Sequence, residues 1–527
     1  MSDRRWWQSA VVYQIYIRSF ADGNGDGVGD LIGLRSRLPY LEWLGVDAIW
    51  ITPFYPSPQA DHGYDVADFR DVDPMFGTLA DFDRMLEDAH RLGIRVIVDI
   101  VPNHTSDRHP WFVNARRSKD HPDREKYIFR DPKPDGSPPN NWGSVFGGPA
   151  WTLDEQSGQY FLHLFAPEQP DLNWRNPEVH ADFERTLRFW MDRGVDGFRI
   201  DVAHGLYKDK ALRDNPKPPY PQPGATAYQS LEQRYNWDQP EVHNVFRRWR
   251  QIAEEYPGDR VLIGEVFLFA PDKVAPYLRD DELHLAFNFL LFGAEWKAKR
   301  FRESIERCLK ALSQMEATNT WVLSNHDFTR HVTRFGGGEA GIARAAAAAL
   351  LMLGLPGTTF LYMGEELGLE EAVVPDDRRE DPVFFRTRGA AKGRDGCRVP
   401  IPWEPEPPGF GFSADPWLPF PEEWGERSVE RLRDDPESIL HLYRKVIAIR
   451  KDLSSLNGTD FHWIEAGVNC VGFERRSADG RSLIFCNFSS KPRRISIPGS
   501  LIVASDDATH DGKTLRLPGN SAAWIAG

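Results

Sequence analysis

Eight short runs of apolar, β-prone residues recur along the chain, at positions 10–20, 46–54, 95–103, 195–202, 260–267, 283–289, 320–326 and 358–363. Segments with a helical apolar period lie between many of them, at 79–92, 178–193, 241–256, 301–315 and 340–353. In the second of these, Val179, Phe183, Leu187, Trp190 and Met191 fall on one helical stripe. Eight β/α alternations over about 450 residues predict an α/β fold, a (β/α)8 TIM barrel. The apolar run 345–355 falls short of the roughly 20 residues a membrane span needs, and reads as a buried barrel helix.

The pattern breaks in three places. Residues 105–176 are rich in Pro, Gly, Asn and Asp, which predicts a small subdomain inserted after the third strand. A loop is expected over 211–239, which contains NPKPPYPQPG at 215–224, and a third insertion over 370–415 follows the eighth strand. Beyond a helix at 437–453 the helical period stops, and strands at 469–475, 482–487 and 494–497 predict a C-terminal antiparallel β-sandwich. The expected organisation is a catalytic barrel over 1–104 and 177–455, an inserted subdomain over 105–176 and a β domain over 456–527.

Composition narrows the function classes. A chain of 527 residues exceeds one compact core, and 41% hydrophobic with 12% aromatic residues suits a packed enzyme. The 18 Trp serve either as core or as platforms for sugar rings. A net charge of −14 argues against nucleic acid, which needs a basic face, and is compatible with a neutral sugar. The N-terminus (MSDRRWWQ) has no apolar signal region, and no membrane span is visible. Cys308, Cys397, Cys470 and Cys486 lack C-x-x-C spacing, so reduced thiols in a cytoplasm are expected.

Four apolar runs end in chemistry: DIVPNH from Asp99 to His104, GFRID from Gly197 to Asp201, GEV from Gly264, and SNHD from Ser324 to Asp327. A parallel barrel assembles its active site where its strands end. Three carboxylates on three strands, with an arginine and two histidines, describe a glycosidic-bond site. One such Asp alone is usually a cap or turn residue, and an ion-pair cluster is the structural alternative for the set. Arg199 and Asp201 are two apart on a strand and share a face, so the arginine keeps that carboxylate ionised and aimed. Neither H-x-x-x-H nor H-E-x-x-H occurs near His104 and His326, which speaks against catalytic zinc.

On these stretches, with VYQIY from Val12 and QPDLN from Gln169 to Asn173, nearly the whole chain resembles glycoside hydrolase family 13, the α-amylase family. The resemblance implies Asp201 as nucleophile, Glu265 as general acid/base and Asp327 as a third carboxylate on the sugar hydroxyls. It implies that His104 and His326 hydrogen-bond the sugar, that Gln169 and Arg199 belong to the substrate set, and that Asp99 supports Arg199; Asn103 reads as structural. Asp61, in DHGYD, is similar to an Asp of exo-acting members that pairs with a late arginine and closes one end of the pocket. That arginine falls on Arg398, within RDGCRVPIPW at 394–403, where the usual form is RDNARTPMQW. Tyr64, Phe146 and Phe165 resemble aromatics that pack on glucose; the two Phe read equally well as core. Val202 follows the nucleophile, where Val goes with tolerance of α-1,6 links and Thr with α-1,4 preference. Ala203 and His204 depart from that branch, and His204 offers the acceptor sugar a different hydrogen bond.

DGNGDGVGD, from Asp22 to Asp30, resembles the first two-thirds of an EF-hand loop. Oxygen donors come from Asp22, Asn24, Asp26, the Val28 carbonyl and Asp30, but position 12 is Gly33 and not Glu. A structural Ca2+, or Mg2+, is expected there; an empty Asx-turn is the alternative. The whole reading is a retaining, exo-acting α-glucosidase of the oligo-1,6-glucosidase branch acting on small oligosaccharides. The alternatives are a transglucosylase or isomerase on sucrose, maltose or trehalose, and a non-catalytic scaffold, against which the intact acid set weighs.

Overall fold

The computed structural model describes residues 5–219, 226–313, 315 and 317–527. Every expected run contains a strand of one parallel sheet: Val11–Ile15, Ala48–Ile51, Arg95–Ile100, Gly197–Ile200, Val261–Gly264, Leu285–Ala286, Thr320–Val322 and Thr358–Tyr362. Counted in that order, the sheet runs seventh, eighth, first, then second through sixth. Across the remaining seam Thr320 Oγ1 donates to the Ala286 carbonyl at 2.6 Å. The result is the expected TIM barrel.

Alternation along the strands explains the closure. Val12, Ala48, Trp50, Ile97, Ile263 and Phe360 form the inner cluster. Their neighbours Val11, Ile49, Ile51, Val96 and Val98 belong to the cluster shared with the surrounding helices. The strands are shorter than the apolar runs, because the run ends leave the ladder to build walls. Run 10–20 is a strand only to Ile15 and then turns through Ile17–Ser19; run 283–289 contributes Leu285–Ala286, while Phe287 and Phe289 pack inside.

Residues 105–176 leave after the third strand and carry a small antiparallel sheet, Phe129–Arg130 and Trp151–Asp154 flanking Gln159–Leu162. The described part of 211–239 holds neither helix nor strand; 220–225 of that loop, and residues 1–4 of the N-terminus, lie outside the described residues. From Phe461 two antiparallel sheets, of five and three strands, pack through Leu483, Phe485, Ile495, Leu515 and Ile525. The larger sheet also covers helix Gly338–Gly354, buried throughout from Ala345 onward. Trp524 Nε1 donates to the Leu350 carbonyl at 3.0 Å. A Cβ on Gly354 would fall 2.9 Å from Ile484.

The acidic loop is folded by its own hydrogen bonds. Asp22 accepts the amides of Asn24, Gly25 and Gly27, and Asp26 accepts that of Val28. Asp30 departs from the expected ligand role. Its two oxygens accept the Gly33 and Gly23 amides at 2.6 and 3.1 Å, capping helix Leu31–Leu44. Among the described residues no three His, Cys, Asp or Glu side chains converge as a metal cage.

Candidate active site

Arg199, buried on the fourth strand, is the hub. Its Nη1 donates to Asp99 Oδ1 at 3.0 Å and to Asp201 Oδ1 at 2.7 Å, while Nη2 lies 2.9 Å from Glu265 Oε2. One guanidinium thus orients carboxylates from three neighbouring strands. Asp201 and Glu265 sit side by side on that guanidinium. Burial raises the Asp201 pKa, Arg199 opposes it, and Glu265 and Asp99 reinforce it. Asp99, pushed up to about 6 by burial against the pull of Arg199, accepts from Trp50 Nε1 and Tyr64 OH.

Val202 adopts a left-handed backbone, φ 45° and ψ 41°, which is rare for a β-branched residue. Its amide donates to Glu265 Oε2 at 3.0 Å. The close turn after Asp201 thereby ties the two acids together through the backbone as well.

Asp327 Oδ1 accepts from Arg394 Nη1 at 3.1 Å and Arg398 Nη2 at 2.9 Å. Burial acts to raise it, but these two arginines hold its pKa below the ordinary carboxylate range. His326 meets Tyr64 OH through Nε2 at 2.7 Å and the Gln14 amide through Nδ1 at 2.6 Å, and burial keeps it neutral. His104, lowered to about 4 chiefly by burial, faces the Tyr64 carbonyl and Gln169.

The residue that meets Asp61 is Arg394 and not the expected Arg398. Arg394 Nη2 donates to Asp61 Oδ1 at 2.6 Å, and its Nε to Asp381 Oδ2 at 2.6 Å. Arg398 lies fully buried beneath, on Asp327 and the His326 carbonyl. Asp395–Arg398 is one helical turn with Arg394 at its cap, so the two arginines, four apart, rise on one face. The resemblance had selected the lower one.

A cavity of about 280 Å³ opens above these groups. Asp201, Glu265 and Asp327 line it, as do all the expected substrate residues except Arg199 and Arg398. Phe146 and Phe165 pack edge to face at 5.4 Å, and Arg394 sits 4.9 Å over the Phe146 ring, so both Phe belong to the wall. His204 stacks on Trp237 at 4.8 Å, is lowered to about 3 by burial, and accepts the Phe267 amide at Nδ1. Sequence reasoning missed Arg394, Asp381 and Gln14, and a mouth formed by Tyr228, Trp237, Phe267, Phe328 and Val383. Tyr228 and Trp237 come from the irregular loop, where no periodicity marks which side chain turns inward.

Residues 14–458 match the family model described as alpha amylase, catalytic domain. The chain is 42% identical to a probable alpha-glucosidase of Rhizobium meliloti, covering 92% of this chain and 90% of that one. It is 37% identical to an oligo-1,6-glucosidase of Parageobacillus thermoglucosidasius, covering 95% and 93%. The solved structure of an alpha-glucosyl transfer enzyme, XgtA, superposes with a TM-score of 0.93 at 40% identity, covering 100% of both chains.

Proposed function

The chain belongs to the α-amylase family of glycoside hydrolases, and on that premise we propose that it is a retaining, exo-acting α-glucosidase releasing glucose from the non-reducing end of short α-1,4- or α-1,6-glucosides. The clamping of Asp201 and Glu265 on one Arg199 guanidinium, at 2.7 and 2.9 Å, carries this reading. An inverting enzyme needs its carboxyls about 6.5–9.5 Å apart to admit water between them, whereas two carboxyls held on adjacent nitrogens of one guanidinium, with the Val202 amide also on Glu265, suit the closer spacing of a retaining pair. Arg199 holds Asp201 ionised for attack, and Glu265 serves as the proton donor. Asp201 attacks the anomeric carbon as Glu265 gives its proton to the departing oxygen. Glu265 then takes a proton from the water that cleaves the glycosyl ester, and two inversions give retention. Asp327, kept ionised by two arginines, accepts from sugar hydroxyls. The Asp61–Arg394 pair walls off the far end, which supports exo action. NMR of the first-formed glucose tests this: the α anomer is expected, and an initial β anomer overturns it.

One observation favours a second reading, glucosyl transfer. The mouth is largely apolar and aromatic, which disfavours water as acceptor, and the chain is similar to an alpha-glucosyl transfer enzyme. Product analysis on sucrose, maltose, isomaltose and trehalose separates the two: free glucose supports hydrolysis, new disaccharides support transfer.

A structural Ca2+, or Mg2+, at 22–30 remains part of the proposal. The donors there are all hard oxygens, and Asp22 acts with burial to raise the Asp30 pKa, a like-charge contact that a cation would relieve. Asp22, Asn24, Asp26 and the Val28 carbonyl would hold it, with a stabilising role and none in the chemistry. Four free cysteines support a cytoplasmic location. No helix among the described residues is long and apolar enough to cross a membrane.

A further inference from the structure

Lys208 follows Asp201 by seven residues, yet its side chain is buried behind the cavity wall. Its ammonium meets three acceptors: Asp171 Oδ2 at 2.6 Å, Asn103 Oδ1 at 2.7 Å and the Gly205 carbonyl at 2.6 Å. All three of its N–H groups are thereby satisfied.

The consequence falls on Asn103. An ammonium can only donate, so it demands the amide oxygen. Asp171 Oδ2, 3.2 Å from Asn103 Nδ2, can only accept, so it demands the amide nitrogen. A flipped amide would set donor against donor and acceptor against acceptor. The NH2 therefore faces His104 Nδ1 at 3.1 Å, and that nitrogen must accept. The single ring hydrogen is then on Nε2, 3.2 Å from the Tyr64 carbonyl. Gln169 Nε2, which also donates to Asp61, stands 3.1 Å from the same Nε2 and favours the opposite tautomer. Two amides compete for one ring, and the ammonium decides between them. Burial keeps the ring neutral, so the tautomer is the variable that remains.

We propose that Lys208 is a positioning residue: acting through the Asn103 amide, it holds His104 in the Nε2–H tautomer, so that the ring hydrogen facing the Tyr64 carbonyl can also be given to a hydroxyl of the bound sugar. The sugar contact rests on the glucosidase reading; the tautomer does not. In the other tautomer Nδ1 carries the hydrogen, Nε2 accepts from Gln169, and no donor is left for substrate.

The test is long-range 1H–15N correlation on protein labelled with 15N-histidine, with His104 assigned by the signal lost in His104→Gln. The parent protein should show His104 as Nε2–H. Lys208→Met should shift it toward Nδ1–H and raise KM for p-nitrophenyl α-glucoside about three- to tenfold, the worth of one neutral hydrogen bond. Asn103→Asp keeps the Lys208–Asp171 pair and places a carboxylate oxygen on Nδ1, so it should enforce Nδ1–H even where Lys208→Met fails to fold. A parent protein with Nδ1–H, or an unchanged tautomer in both variants, overturns the proposal. A shifted tautomer with unchanged KM overturns the sugar contact. A parent enzyme that cleaves no glucoside overturns the functional reading and leaves the tautomer result standing.

Discussion

Replacing Arg394 by Gln removes the one cation shared by Asp61, Asp381 and Asp327, at 2.6, 2.6 and 3.1 Å. Asp327 keeps Arg398 at 2.9 Å, so the loss concentrates on Asp61 and Asp381, whose side chains are 5% and 0% exposed. Unpairing a buried charge costs about 3–5 kcal/mol, and protonation of the stranded acids caps that cost. Asp381 accepts the Arg394 and Val383 amides, and Val383 is part of the cavity wall, so the sugar site itself is disturbed. If half or more of the cost falls on the bound transition state, kcat/KM on maltose drops about 10- to 5000-fold at 1.36 kcal/mol per decade. Asp61→Asn leaves Arg394 with two partners and should lose less.

The acid limb supplies an independent readout. Asp327 and Asp381 have depressed folded pKa values, in both cases because arginine outweighs burial. Their contribution to stability is present above the unfolded value near pH 4 and is lost as pH falls toward the folded one. Arg394→Gln raises those folded values, so stability near neutral pH drops and less remains to be lost on acidification. Melting scans from pH 7 to pH 3 should therefore be flatter for Arg394→Gln than for the parent. An Arg394→Gln enzyme within about threefold of the parent in kcat/KM, less than 1 kcal/mol, would refute the argument. So would a melting profile that parallels the parent's.

Val202→Thr places a hydroxyl at the cavity rim and should move the kcat/KM ratio toward maltose over isomaltose by about 1–3 kcal/mol; an unchanged ratio assigns linkage choice to the loops. Chelation should lower the melting temperature while leaving kcat intact, since a cation bound only by the folded state at 22–30 stabilises without touching the acids; a metal-free preparation with the same melting temperature rules the site out. Among the described residues neither carboxyl oxygen of the buried Glu365 has a hydrogen-bond partner, His331 Nδ1 lying 4.0 Å away, and burial pushes its pKa up to about 8. The folded state thus holds a proton the unfolded state has released between about pH 4.5 and 8, and stability falls by about 1.4 kcal/mol per unit as pH rises through that window. Glu365→Gln should therefore melt higher than the parent at pH 8, with the difference closing near pH 5; equal melting curves at both would contradict it.

The barrel and the catalytic acids were legible because short apolar, β-prone runs alternating with helical periods mark the strands of a parallel barrel, and a polar residue ending such a run sits at the barrel mouth. Asp61, Tyr64 and His104 were found through short motifs whose geometry is local. Arg394 was not, because it and Arg398 share a helical face and only depth separates them. Asp30 was misread as an open ligand, since its capping of Leu31–Leu44 depends on where the helix begins. Lys208 and Trp237 come from segments with no repeating pattern, so burial there is decided by tertiary contacts alone.

The sheet that covers helix Gly338–Gly354 has a consequence for synthesis. All eight barrel strands have been made by Tyr362, but the cover of this helix, begun by helix Ile439–Asp452 and strand Gly480–Asn487, is completed only by strand Ser521–Ala526. Trp524, which bonds the Leu350 carbonyl, is translated about 170 residues after it. A nascent barrel therefore carries part of a greasy, alanine- and leucine-rich flank uncovered for more than 150 residues of elongation after its own strands are complete.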